Sequence, residues 1–385
     1  MEFQLSDKAK DYIARTKAFI QTEIEPIEAE FWQAAHKLNP TGDWTTWQWP
    51  AKLEELKTKA RAQNLWNMFL PDQQLGQGLS VQEYAHIAEL SGRSLIAPHV
   101  FNCNAPDSGN MELIWRYGND AQKQQWLTPL LAGEIRSVFG MTEPAVASSD
   151  ATNMQATAIV EGDEIVLNGR KWWSSGLGDP NAKLIIFMAH TPDESKDRHH
   201  QHTMVLVPID TQGVKIERML KVFNDYDAPH GHGEMHFDNV RVPLSNVIGG
   251  AGEGFAIAQG RLGPGRIHHC TRWIGAAEKS LELAIDRGLS RSAFGKPLLD
   301  LGGNRERIAD ARVKIDQARL LTLYAAYKMD KLGTKAALTE ISAIKVVAPT
   351  VLQEVVDMAI QLHGGMGVSQ DTLLPMFFNQ ARSLR

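Results

Sequence analysis

The segment "TAIVEGDEIVLNGRKWWSS" (157–175) is where the chain changes character, and its reading decides the fold. Thr157–Val160 and Ile165–Leu167 are short apolar, β-branched runs, and Glu161-Gly162-Asp163 between them supplies turn residues. That spacing predicts a β-hairpin. Further β-rich runs follow at "KLIIFMAH" (183–190), "TMVLVPI" (203–209) and "VKIERML" (214–220). In "GEMHFDNVRVP" (233–243), Met235 and Phe237 alternate with polar residues, and Val240 and Val242 resume the alternation. Strands this closely spaced, with no helix between them, predict a small antiparallel barrel or sandwich rather than βαβ units. The polar segment "HTPDESKDRHHQH" (190–202) predicts a loop joining two strands.

Both flanks read as helix. Ser6 or Asp7 caps a pattern of Ala9, Tyr12, Ile13, Phe19 and Ile20, with Pro26 limiting or kinking it. Leu53, Leu56 and Ala60 repeat the spacing, and Gly118-Asn119-Asp120 breaks and caps two short helices. Downstream, Ala311, Ile315, Ala318, Leu321 and Ala325 mark one long helix. Residues 334–362 mark another, with a kink expected at Pro349. The expected domains are helical over 1–137, β over 138–248 and helical over 249–385.

Bulk properties narrow the function. The chain has 385 residues, 43% hydrophobic and 22% charged, which suits a folded multidomain protein. A net charge of −5 gives no basic footprint for nucleic acid. Cys103 and Cys270 are the two cysteines, too few for a disulfide framework or a cysteine metal cluster. No stretch has the length and apolarity of a membrane span. The start, "MEFQLSDKAK", shows no secretory or transit leader, so the expected location is cytoplasmic in a bacterium.

Several motifs invite stronger readings. "GGAGEG" (249–254) and "GGMG" (364–367) lack the strand–turn–helix setting of a dinucleotide fingerprint. Gly364, Gly365 and Gly367 read better as a helix end whose backbone approaches something closely. "HGHGEMH" (230–236) and "HHQH" (199–202) have zinc-ligand residue types without fixed helical spacing, so no metal is expected. "VFGMTEPAVASSD" (138–150) and "RKWWSSG" (170–176) are different: Thr142, Ser148, Ser149, Ser174 and Ser175 offer hydroxyls beside Trp172 and Trp173. An aromatic face with hydroxyl donors suits a flat heteroaromatic cofactor, and strand-end serines beside core tryptophans are the plainer reading.

In order along the chain, "GMTEP", "KWWSSG", "RSAFGK" and "QLHGGMG" resemble the acyl-CoA dehydrogenase family of flavoproteins. Gln361, Gly364, Gly365 and Gly367 match its signature Gln-x-x-Gly-Gly-x-Gly, with Asp371 at the usual acidic position. "AVASSD" departs from the usual Gly-x-Gly-Ser-Asp, so either Ser148 or Ser149 takes the serine role. "FNCNAPDSGNME" (101–112) and "NDYDAPHGHGEMHFDNVRVP" (224–243) are similar to the family's member 10/11-like subgroup.

The resemblance implies an α+β, mainly α fold: an N-terminal helical domain, a middle antiparallel β barrel or sandwich and a C-terminal four-helix bundle. It implies FAD shared between subunits of a homodimer or homotetramer. Phe139, Met141, Thr142, Ser148, Trp173 and Ser175 would line the cofactor, with Ser175 near its reactive edge. Arg291, Phe294, Gln361, Gly364 and Gly365 would reach a neighbouring subunit's FAD. Ser149 and Arg266 would face substrate. The implied reaction is α,β-dehydrogenation of an acyl-CoA thioester, with electrons passed to an electron-transfer flavoprotein; the alternatives are an oxidase or a monooxygenase of the same fold, and a non-catalytic member that keeps the fold and binds no FAD.

Such chemistry needs a base for the α-proton. One family position for it directly precedes an arginine; counting back from "IGAAEKSL" (274–281), that arginine is Arg266 and the preceding residue is Gly265, which has no side chain. The other lies about 27 residues after the signature glutamine, near position 388. The resemblance therefore implies a base beyond Arg385 in a longer chain, with Arg266 supporting it; the alternative is a natural end with the base lost, giving a non-dehydrogenating relative.

Overall fold

A computed structural model describes residues 4–383 and 385, which gather into two compact units. A sheet unit holds Gln33–Ala51 and Asn102–Leu262. A helical unit holds the chain up to Trp32, Lys52–Phe101 and everything from Gly263 onward.

In the sheet unit, β1 (Arg136–Gly140), β2 (Thr157–Glu161), β3 (Glu164–Ser175), β4 (Ala182–His190), β5 (His202–Pro208), β6 (Val214–Leu220) and β7 (His232–Pro243) form one sheet. Its order is β1-β4-β2-β3-β7-β6, with β5 pairing β4. The expected hairpin is β2–β3, closed with Glu161 opposite Glu164 and Gly162 at φ +67°. The polar loop joins β4 to β5 as the sequence suggests. The pairing is not antiparallel throughout, because β1 runs parallel to β4. β1 is hidden in the sequence because every residue but Phe139 is buried, which leaves no alternation to read.

The interrupted alternation in β7 has a structural cause. Leu167 of β3 pairs with Val240 and Gly169 with Phe237, so Asp238 and Asn239 together oppose the single residue Asn168. Asn239 adopts φ +50° there, and its N–H donates to Asn168 Oδ1 at 2.7 Å. This bulge returns Val240 and Val242 to the face already buried by Met235 and Phe237. Phe187 and Phe237 stack at 4.1 Å inside this core. Trp47 joins them from a distant part of the chain. A Cβ at Gly178 or Gly231 would come within 2.4 or 2.7 Å of its ring, so both approaches require glycine.

In the helical unit, Ser6 Oγ caps helix Asp7–Phe19 by accepting from Ala9 N–H at 3.1 Å. Pro26 lies in a short turn, Glu25–Ile27, that separates this helix and its π-helical extension from the next one. Ser80 and Glu83 form a reciprocal capping box on helix Val81–Gly92. That helix crosses the long helix Gly254–Ser290 at backbone contact: a Cβ on Gly275 would fall 1.9 Å from Glu89 O. Arg319 of helix Asn304–Leu332 donates to Glu89 at 3.0 Å and also pairs with Glu278, tying three helices together. Helix Leu338–His363 continues through Pro349, where the sequence predicts a kink. Between the long helices, β8 (Ser292–Ala293) and β9 (Lys296–Pro297) form a small hairpin.

Candidate active site

The sheet unit builds one polar, aromatic face. Pairing of β3 with β7 shifts register between Lys171 and Ser174. Within this irregularity Trp173 takes φ +52° and stays 40% exposed. A bulky residue in the left-handed region is strained, and an exposed indole gains little from burial, so its placement is not explained by the core. Beyond it Ser175 lies opposite His232, with Oγ and Nδ1 2.9 Å apart. The Trp173 ring sits 6.0 Å from the His232 ring and 6.3 Å from that of Trp172.

The loop after β1 is tied to β3 by backbone and charge. Lys171 Nζ donates to Met141 O at 3.1 Å and to Glu143 Oε1 at 2.7 Å. Trp172 N–H donates to Thr142 O at 3.0 Å. The Glu143 carboxylate also accepts from Gln155 and Ala156 N–H groups at 2.8 and 3.0 Å. Both ends of this ion pair are buried, the Lys171 and Glu143 side chains being 0% and 3% exposed. Burial brings Lys171 down to about 8 despite the opposing pull of Glu143. Ser148 Oγ accepts from Glu143 N–H at 2.9 Å and so closes its own loop, whereas Ser149 is exposed.

Phe139 is fixed from its other side. The Arg261 guanidinium lies 3.9 Å from its ring centroid. Arg261 Nε donates to Asn110 Oδ1 at 3.0 Å, and Asn110 Nδ2 donates to Ser137 Oγ at 2.9 Å. Ser137 N–H and O–H both reach Asp107 Oδ1 at 2.7 Å. Burial lowers the Arg261 guanidinium to about 10, against Glu112 and Asp107, which favour its charge. Phe139, Met141, Thr142, Ser148, Trp173 and Ser175, separated by up to 36 positions (139 to 175), are thus gathered on two linked segments.

The helical unit carries the remaining expected residues on open surfaces. Helix Leu338–His363 ends at Gly364, φ +63°, confirming the glycine-bearing helix end. Gln361, Gly364 and Gly365 are exposed, and a Cβ on either of these glycines would meet nothing within 4 Å. Gly367 is different, since a Cβ there would fall 2.6 Å from Ile360 O. Phe294 sits at the tip of the β8–β9 hairpin, φ +53° and 94% exposed. Arg291, just before the hairpin, is exposed and has no side-chain partner among the described residues. Arg266 is half-buried in the long helix, and a Cβ on the adjacent Gly265 would meet open space.

Sequence reasoning missed Lys171, Glu143, Arg261, Asp227 and His232 as members of this neighbourhood. "HGHGEMH" has the residue types of a metal motif, but His232 instead meets Ser175 on one side and Asp227 on the other. Among the described residues, no group of three His, Cys, Asp or Glu side chains is placed to hold a metal ion. "GGAGEG" leads into the long helix, and Gly252 N–H donates to Thr203 Oγ1 at 3.1 Å. No helix of the described residues is long and apolar enough to cross a membrane.

Comparison with known proteins gives a consistent result. Residues 6–134 match the acyl-CoA dehydrogenase N-terminal domain, residues 138–240 the middle domain and residues 252–385 the C-terminal domain. The chicken (Gallus gallus) "Acyl-CoA dehydrogenase family member 11" is 49% identical over 384 residues, which cover 100% of this chain and 49% of that protein. The chain therefore spans about half the length of this relative. "Probable acyl-CoA dehydrogenase FadE2" of Mycobacterium tuberculosis is 49% identical over 387 residues, covering 100% of this chain and 93% of that protein. A solved structure of a "putative acyl-CoA dehydrogenase" from Mycobacterium abscessus superposes with a TM-score of 0.96 at 57% identity, covering 99% of this chain and 94% of the other.

Proposed function

The chain belongs to the acyl-CoA dehydrogenase family, and on that premise we propose that it carries out FAD-dependent α,β-dehydrogenation of an acyl-CoA thioester. The observation that carries this reading is the strained, exposed Trp173 beside the Ser175 hydroxyl on a bulge of β3. A flat aromatic and a hydroxyl at one edge fit an isoalloxazine ring. When bound, FAD supplies the acceptor for the hydride leaving the β-carbon.

The chain's own groups then divide the work. Phe139 on β1 and Met141, Thr142 and Ser148 on the segment after it are proposed to border the ring, and the Lys171–Glu143 pair fixes that segment against β3. Arg291, Phe294, Gln361, Gly364 and Gly365 are proposed to meet the FAD of a neighbouring copy in a homodimer or homotetramer. Their exposure, an unpaired guanidinium and two glycines with open space above them, suits a pyrophosphate, which Arg holds bidentately and backbone N–H groups approach closely. Ser149 and Arg266 are each proposed as substrate contacts, and the charge that builds on the thioester oxygen calls for preorganised donors. An electron-transfer flavoprotein is the proposed electron acceptor.

The test is anaerobic mixing of the FAD-loaded full-length protein with a panel of straight and branched acyl-CoAs. Bleaching of the flavin absorbance by one class is the expected result, and that class identifies the substrate. No bleaching by any acyl-CoA contradicts the proposal.

A further inference from the structure

Behind Ser175 stands a chain of proton-bearing groups that hydride transfer does not itself require. Ser175 Oγ lies 2.9 Å from His232 Nδ1, and His232 Nε2 lies 3.4 Å from Asp227 Oδ2. The His232 side chain is 18% exposed, enough to exchange a proton with solvent. It is held in place by the Trp173 ring on one side and by the His230 ring, edge-on at 6.2 Å, on the other. Its β-sheet partner on β6 is the apolar Leu220. The charged groups that face it are therefore Asp227 and, when protonated, His230, whose own protonation is suppressed by burial. Lys221, next along the chain from Leu220, is turned onto the Tyr226 ring at 4.7 Å.

Hydrogen-bond direction along this chain is set by one proton. With one ring proton on His232, the Asp227 charge favours its placement on Nε2, and Nδ1 is left as a lone pair. Ser175 must then donate its O–H to Nδ1 and present only lone pairs to the site. With both ring nitrogens protonated, Nδ1–H donates to Ser175 Oγ and the Ser175 O–H is released to donate into the site. A flavin N5 is an acceptor when oxidised and bears a hydrogen when reduced, so each hydroxyl direction suits one oxidation state.

We propose that His232 and Asp227 are positioning residues that set the direction of the Ser175 hydroxyl, and so make the environment of the bound flavin depend on one proton exchanged with solvent. This rests on the reading above that Ser175 meets the FAD.

The test uses FAD-loaded full-length protein and follows the visible flavin spectrum and the flavin midpoint potential from pH 5.5 to 8.5. The wild type is expected to show a one-proton spectral transition. His232→Gln is expected to lose it while retaining FAD. Asp227→Asn, which keeps the side-chain shape and removes the charge, is expected to displace the transition. A transition unchanged in both variants, or a wild-type flavin that is indifferent to pH, overturns the proposal and leaves the FAD reading standing. A wild-type protein that takes up no FAD overturns both. If His232→Gln does not fold, the Asp227→Asn shift decides alone.

Discussion

The two surfaces assigned to the cofactor are built in opposite ways. On the sheet unit, the expected residues are locked by their own neighbours: a buried ion pair clamps the Met141–Glu143 segment, a guanidinium covers Phe139, and Ser175 is held by His232. On the helical unit, the side chains of Arg291, Phe294 and Gln361 and the open side of Gly364 stand exposed, although Gly364 also ends its own helix. The first surface is preorganised for a ligand. The second is open, with an unpaired guanidinium and uncovered glycines available to a ligand. Stability and cofactor retention should therefore separate cleanly between the two.

The largest effect is expected at the clamp. Lys171→Met leaves the Glu143 carboxylate buried without its counter-charge, which costs on the order of 3–5 kcal/mol. Denaturant unfolding of the apoprotein measures this, and a loss below about 1 kcal/mol would show that the clamp is not what holds the first surface together. Acid adds a second test, in the helical unit's interior. Burial pulls His268 from 6.5 down to about 3, and its ring packs edge-on to Tyr84 at 4.8 Å. Below pH 6.5 the unfolded chain binds a proton that the folded chain refuses, so stability falls with pH by roughly 1.4 kcal/mol per unit for this group. Glu28, raised to about 7 by burial, acts in the opposite sense between pH 7 and 4.5, so the histidine term is read as the difference between wild type and His268→Phe. Equal acid sensitivity in the two proteins would remove His268 from the account.

At the open surface the expected pattern reverses. Arg291→Ala should change unfolding free energy by less than about 0.5 kcal/mol. Its FAD affinity should fall roughly tenfold or more, as expected for losing a charge-assisted contact to phosphate. A variant that retains FAD normally would take Arg291 out of the cofactor site. The smallest effect is expected at Gly265, whose open space and helical setting predict that Gly265→Ala stabilises the chain by about 0.5–1 kcal/mol. A destabilised variant would mean that the space at Gly265 is needed by the folded chain itself.

Much of this architecture is legible in the sequence because it rests on local signals. The β2–β3 turn, the Asn119 cap and the loop between β4 and β5 follow from turn and capping chemistry. β1 is not legible, because a strand buried on both faces carries no alternation. The continuous helix through Pro349 also escapes a local rule. Within the candidate site, Trp173 and Ser175 stand out as an aromatic beside hydroxyls. Lys171–Glu143 and Ser175–His232 do not, since each pair joins positions 28 or 57 residues apart whose meeting depends on strand register. The histidines of "HGHGEMH" are a visible signal, and only the register of β3 on β7 shows that one of them lies against a serine.

The most direct test of the central claim is the absorbance of the FAD-loaded protein on anaerobic addition of acyl-CoA. The flavin band is expected to bleach with at least one acyl-CoA class while the matching enoyl-CoA accumulates. A flavin that binds and stays fully oxidised against every acyl-CoA would contradict the claim.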